Sequence, residues 1–279
     1  MAGAISDDDV QIHLALPKGH MQENVFKMLE DAGVKVRARG ALRRPPLFFP
    51  HRTPPFLTTP HPPTPPQVSL GNSRGYRPTI PLPNYDVKLL KPQNILGMLA
   101  AGTRDLGFAG ADWIAELGVE GLVEVLDTGM DPVRIVAAAP NPRILADAKG
   151  GLGGRKLIVA SEYGGLTAKW LAAKGIDAHF LRAYGATESL PPEDADIIVD
   201  NAATGSTLRA NGLEIIDSLM NSTTRLYASA AAWADPAKRA RIEKLVLLLR
   251  AVLEARKRLM ITFNVAAASL ESMLEKMPW

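Results

Sequence analysis

The stretch Ala195-Asp196-Ile197-Ile198-Val199-Asp200-Asn201-Ala202-Ala203-Thr204-Gly205-Ser206-Thr207-Leu208 passes from an apolar run into an acid, then a small-residue turn rich in hydroxyls, then a helix start. A short β-branched run bounded by turn residues reads as a strand buried on both faces, which is the strand type of a parallel sheet. The backbone N–H groups of the turn, the hydroxyls of Thr204, Ser206 and Thr207 and the positive end of the following helix together make a site for a phosphate monoester. Asp200, at the strand end, is placed to bind ribose hydroxyls. The same residues also fit an ordinary strand-to-helix turn capped by Thr or Ser.

The pattern recurs on both sides of this stretch. Strands are expected at Ile12–Leu16, Val87–Leu90, Leu106–Ala109, Arg134–Ala138, Leu157–Ala160, Ala178–Leu181 and Ile197–Val199. Helices are expected at Gln22–Ala32, Pro92–Ala101, Ala111–Leu117, Leu166–Lys174 and Thr207–Asn211, most of them at βαβ spacing. Alternation of this kind specifies an α/β protein with helices covering parallel strands. Apolar residues at Ile242, Leu245, Leu249, Val252 and Leu253 predict one long helix over Pro236–Leu259, with Pro236 at its start. Met260–Val265 reads as a further strand and Ala267–Lys276 as a further helix.

Composition narrows the classes. A chain of 279 residues, 47% hydrophobic and 22% charged, buries one large core or two modest ones. A net charge of +3 suits small polyanionic ligands but is too weak and too dispersed for nucleic acid. The absence of cysteine excludes disulfides, thiolate zinc sites and a cysteine nucleophile. The most apolar helical stretch, Leu245–Leu253, is interrupted by Arg250 and is far too short to span a membrane. Met1–Val10 carries successive aspartates and lacks the pattern of a signal peptide, so a cytoplasmic location is expected. His13, His51, His61 and His179 show no metal-ligand spacing. Ten of the 22 prolines crowd into Arg39–Leu70, where neither helix nor central strand can form, so an excursion of polyproline type or without order is expected, most simply an inert insertion.

Further motifs carry chemistry. Lys18 follows the first strand on a glycine-permitted turn, Leu14-Ala15-Leu16-Pro17-Lys18-Gly19, where a fixed cation neutralises a phosphate or simply faces solvent. In Asp105-Leu106-Gly107-Phe108-Ala109-Gly110-Ala111-Asp112 a strand meets a helix start, and glycines let either a ligand or the neighbouring helix approach the backbone. Glu188, in Gly185-Ala186-Thr187-Glu188, is a ligand-binding carboxylate or a dipole partner at a helix start.

Taken in order, these motifs and Thr204-Gly205-Ser206-Thr207-Leu208-Arg209-Ala210-Asn211-Gly212-Leu213 resemble the ATP phosphoribosyltransferases, over about Gln11–Arg37 and Ser73–Trp279. The resemblance implies a two-lobed α/β fold of the type II periplasmic-binding-protein kind. Residues 1–132 would form the first lobe with the proline-rich insertion 39–70, residues 133–224 the second lobe with the phosphoribosyl pyrophosphate (PRPP) loop, residues 225–258 a return to the first lobe, and 259–279 the truncated start of a regulatory domain. It implies transfer of the phosphoribosyl group of PRPP to N1 of ATP, the first step of histidine biosynthesis. Glu188, Asp200, Ala203, Thr204, Gly205, Ser206, Thr207 and Leu208 would bind PRPP. Lys18, Gly19, Arg74, Asp105, Gly107, Gly110 and Asp112 would bind the nucleotide, with Tyr76 a weaker candidate. Lys18 and Asp200 would be catalytic. Mg²⁺ would arrive on the pyrophosphate, without direct protein ligands. A homo-oligomer, dimer or hexamer, and a separate regulatory subunit are implied partners. The chain departs from the family at His20, where arginine is usual, which implies a weaker or pH-dependent cationic contact. Asn201 stands where the most widespread class of phosphoribosyltransferases has a second acid. A non-catalytic nucleotide- or PRPP-binding subunit of the same fold, or a transferase for another base, are the alternative readings.

Overall fold

The computed structural model describes residues 10–37, 75–149, 154–260, 264, 266 and 269–276. The expected excursion at 39–70 and the candidate Arg74 lie outside these residues, as does most of the expected Met260–Val265 strand.

The chain opens with β1 (Ile12–Pro17), buried on both faces, and α1 (Gln22–Asp31), which buries Val25, Met28 and Leu29 at helical spacing. Then come β2 (Tyr85–Leu90), α2 (Pro92–Ala100, proline in its first turn), the fully buried β3 (Leu106–Gly110) and α3 (Ala111–Leu117). Gly118 ends α3 at φ 60°, a left-handed turn that glycine adopts without strain. A long strand β4 (Val123–Ala139) leads to α4 (Ile144–Lys149), β5 (Leu157–Ser161), α5 (Gly164–Lys174) and β6 (Ala178–Arg182). A 3₁₀ turn, Thr187–Ser189, precedes β7 (Ile197–Ala202) and α6 (Ser206–Ala210). The second long strand, β8 (Glu214–Ala228), is followed by α7 (Ala230–Ala234), α8 (Pro236–Arg256) and α9 (Leu270–Leu274).

All strands join one mixed sheet in the order β2-β1-β3-β8-β4-β7-β5-β6. β1, β2 and β3 are parallel, as are β5, β6 and β7, and β4 and β8 lie antiparallel between the two groups. Two hydrophobic regions divide the molecule into lobes. One packs Leu14, Leu16, Met28, Phe108 and Leu226 against Ile242, Leu245 and Leu249 of α8. The other packs Ile135, Val159, Trp170, Ile197 and Val199, with a further cluster around Val136, Ile198 and Leu208. β4 and β8 belong to both: Val125 and Leu226 lie in the first core, Ile135 in the second.

These two strands are longer than their sequence suggests. Only Arg134–Ala138 of β4 is legible, and no strand is expected over Glu214–Ala228. The reason is the passage between lobes, where Asp127, Gly129, Asp131 and Pro132 on β4 and Ser218, Asn221, Ser222, Thr223 and Thr224 on β8 break every apolar alternation. The register slips between Asp127 and Met130 and again between Met130 and Val133. Bulges of this kind bend a strand and re-aim its side chains.

Candidate active site

The loops that follow β1, β3, β5, β6 and β7 all leave the carboxyl ends of parallel strands, where open α/β sheets bind ligands. Two cavities lie there. The first, about 380 Å³, is walled by Lys18, Lys91, Gly110, Asp112 and Trp113 from the first lobe, Glu162, Tyr163 and Asn201 from the second, and Asp131, Ser222 and Thr224 from the connecting strands. The second, about 450 Å³, is walled by Gly185, Thr187, Glu188 and the whole run Asp200–Leu208. His20, Val133, Glu162 and Asn201 border both.

In the second cavity the turn after β7 is held open by Gly205 at φ 70°. The Thr204 and Ser206 hydroxyls lie 3.0 Å apart, and Arg209 donates to the Thr204 carbonyl at 3.2 Å. Thr204 Oγ1 accepts from the Ser206 N–H at 3.4 Å, while Gly205, the residue before α6, offers no side-chain cap. The remaining N–H groups of that turn and the loop hydroxyls are donors of the kind an anion requires. Asp200 accepts from the backbone N–H of Asn201 at 2.7 Å. Burial pushes its carboxyl up to about 6, with the neighbouring Glu188 and Glu162 charges adding to the rise and hydrogen bonds opposing it.

A buried polar network crosses the first cavity. Asp112 accepts from the Ser222 hydroxyl at 2.6 Å and from the Tyr163 hydroxyl at 3.0 Å, and Asn201 donates to that tyrosine oxygen at 3.4 Å. Burial and the Asp112 charge hold the Tyr163 hydroxyl far above its ordinary range, so it stays a donor. A methyl group at Gly110 would collide with the Asp112 carboxylate, so the glycine leaves that carboxylate room to fold back over the strand end. Trp113 stacks on Tyr163 with ring centroids 5.0 Å apart. Lys18 lies 4.6 Å from the centre of the Tyr76 ring. With Gly19, Tyr76, Arg77, Lys88 and Lys91 it walls a third cavity of about 550 Å³ beside the first.

The structure thus brings Lys18, Gly110 and Asp112 to one side of the cleft and Glu188, Asp200 and Ala203–Leu208 to the other. It does not bring Asp105 or Gly107 there. Asp105 precedes β3, at the amino end of the sheet, about 16 Å from Gly110 by strand rise. It is buried and accepts from the His13 backbone N–H at 2.7 Å and from Lys238 Nζ at 2.7 Å, an ion pair that ties β1 and α8 together. Gly107 is enclosed by Ile95 and Ala15, and a methyl group would strike Ile95, so this glycine serves helix–strand packing. Neither residue lines the cavities of the cleft. Sequence reasoning passed over Glu162, Tyr163, Ser222 and Asp131. Glu162 and Tyr163 were signalled by their place between an apolar strand and the glycines of Ser161-Glu162-Tyr163-Gly164-Gly165, whereas nothing local marks Ser222 or Asp131.

A family model described as "HisG: ATP phosphoribosyltransferase" matches residues 91–251. The chain belongs to the ATP phosphoribosyltransferase family. An ATP phosphoribosyltransferase of Pelotomaculum thermopropionicum is 31% identical over 274 residues, covering 96% of this chain and 82% of that one. One from Chlorobium phaeobacteroides is 36% identical over 272 residues, covering 96% and 80%. Among solved structures, a chain of the "ATP phosphoribosyl transferase (HisG:HisZ) complex from Thermotoga maritima" superposes with a TM-score of 0.63 at 21% identity, covering 88% of this chain and all of that one. At that identity the likeness shows a shared family fold.

Proposed function

We propose that this chain condenses ATP with PRPP to give N1-(5-phosphoribosyl)-ATP and pyrophosphate, the first step of histidine biosynthesis, with PRPP in the second cavity and the nucleotide in the first. The observation that carries this reading is the apposition of the Asp200–Leu208 loop, rich in anion donors, to a cleft wall bearing Lys18, Lys91 and Asp112. The adenine N1 displaces pyrophosphate from the anomeric carbon with inversion, so no covalent enzyme intermediate is required. Catalysis then rests on positioning and on electrostatics. The loop N–H groups and the Thr204, Ser206 and Thr207 hydroxyls take the 5′-phosphate, Asp200 and Glu188 the ribose hydroxyls. Lys18 faces the departing pyrophosphate, which enters as its magnesium salt. In this reading the ion is carried by PRPP. A separate regulatory subunit and self-association remain part of the same proposal.

Pyrophosphate release from ATP, PRPP and Mg²⁺ tests the reaction. Turnover with ATP is expected; binding of both substrates without turnover would instead make the chain a non-catalytic subunit. Thr207→Ala and Asp200→Ala are expected to weaken PRPP about tenfold or more, roughly the 1.5 kcal/mol of one charge-assisted hydrogen bond, while ATP affinity changes little. Unchanged PRPP affinity in both variants would contradict the placement.

A further inference from the structure

The two cavities meet along His20, Val133, Glu162 and Asn201, which line both. Asn201 is engaged with Tyr163 and Asp200. His20 is exposed. Glu162 is half-buried, and among the described residues its carboxylate makes no hydrogen bond and no ion pair. Each of the other carboxylates of the cleft borders one cavity only, Glu188 being likewise half-buried and without a hydrogen bond or ion pair among the described residues. Asp112 and Asp131 border the first cavity alone, and hydroxyls hold both, Ser222 and Tyr163 on Asp112 and Thr224 on Asp131. Glu188 and Asp200 border the second alone. Leaving a partly buried carboxylate unpartnered costs stability, and such costs are retained where a charge has work to do with a ligand.

We propose that Glu162 is a catalytic carboxylate of the transfer, holding a negative charge where the adenine N1 and the anomeric carbon of PRPP meet. This rests on the assignment of the two cavities made above. In the step, the N1 lone pair forms the bond to the anomeric carbon while the carbon–oxygen bond to pyrophosphate breaks and its electron pair leaves with pyrophosphate. Positive charge develops first on the anomeric carbon and then over N1, C6 and N6 of the substituted adenine. The lysines of the cleft, needed for phosphate, oppose that charge. A fixed carboxylate on the opposite wall stabilises it and accepts a hydrogen bond from the N6 amino group, and no proton need leave. Both substrates are neutral or anionic at these atoms beforehand, so the interaction strengthens as the reaction proceeds.

Glu162→Gln keeps shape and removes charge. We expect its kcat to fall roughly 100-fold, the scale seen when one electrostatic contact to a transition state is removed, with dissociation constants for ATP and PRPP within about threefold of wild type. Glu162→Asp, which keeps the charge, is expected to recover part of the loss. Pyrophosphate release at saturating substrates gives kcat, and calorimetric titration with PRPP and with ATP gives the affinities. A Glu162→Gln kcat within threefold of an active wild type would overturn the assignment. So would an Asp variant no faster than the Gln variant, or a Gln variant that loses affinity at unchanged kcat. A wild-type chain that binds both substrates without turnover would instead remove the reaction itself, and this inference with it.

Discussion

Asp200 is under two opposed demands. In the proposed site it binds ribose hydroxyls most strongly when ionised, yet burial and the charges of Glu188 and Glu162 favour its neutral form and raise its carboxyl from 3.8 to about 6. A raised carboxyl binds a proton in the folded chain that the unfolded chain has released, so its contribution to stability falls as pH climbs from about 4 to 6 and is flat above 7. Replacing it by Asn removes that dependence. The unfolding free energy of Asp200→Asn, relative to wild type, should therefore rise by about 2 kcal/mol between pH 4 and pH 7, measured in urea at each pH. A difference that does not change with pH would show that the carboxyl is not shifted. Asp105 differs in its partners: a more deeply buried acid, matched by Lys238 and by donors from His13, whose role is to hold the first lobe together.

Among the secondary-structure elements, α3 and α5 make a direct contact between the two lobes. Glu116, near the end of α3 in the first lobe, accepts from the backbone N–H groups of Gly165 and Leu166 at 3.0 and 2.9 Å, capping α5 of the second lobe. Lys169 returns a hydrogen bond to the Ala115 carbonyl at 3.3 Å. Gly165 is required at this junction, because a side chain there would strike the Glu116 carbonyl. A carboxylate satisfying the free donors of a helix start contributes about 1 kcal/mol. Glu116→Ala should lower the unfolding free energy by about that amount, read from the denaturant midpoint at unchanged slope; an unmoved midpoint would mean that water replaces the cap without loss.

A cleft between two lobes makes ligand binding a stabilising event for the entire chain, since a ligand that contacts both lobes binds only the folded form. PRPP with Mg²⁺ at one hundred times its dissociation constant should stabilise the protein by about 2.7 kcal/mol, which for a chain of this size is a rise in Tm of several degrees. Chelating the magnesium with EDTA should remove most of that rise if the ion travels with the pyrophosphate. A shift that survives chelation would separate the donor site from the metal. Differential scanning fluorimetry reads both.

Local patterns carried much of this protein. Short apolar runs bounded by turn residues announced β1, β3, β5 and β7, because a strand buried on both faces is apolar along most of its length. The donor-rich turn after Val199 was legible for the same reason: phosphate binding by backbone and hydroxyls is a property of consecutive residues. The length of β4 and β8 was not, since their central residues line a polar cleft and obey no periodicity. Asp105 and Asp112 look alike in sequence, each beside a glycine-rich strand, and only the direction of β3 puts one at the closed end of the sheet and the other in the cleft. Ser222 and Asp131 acquired their neighbours through the crossing of two strands between lobes, and Glu162 through the pairing of β5 with β7. What lies along the chain could be read from it; what lies across the cleft depends on long-range packing, which no short stretch of residues encodes.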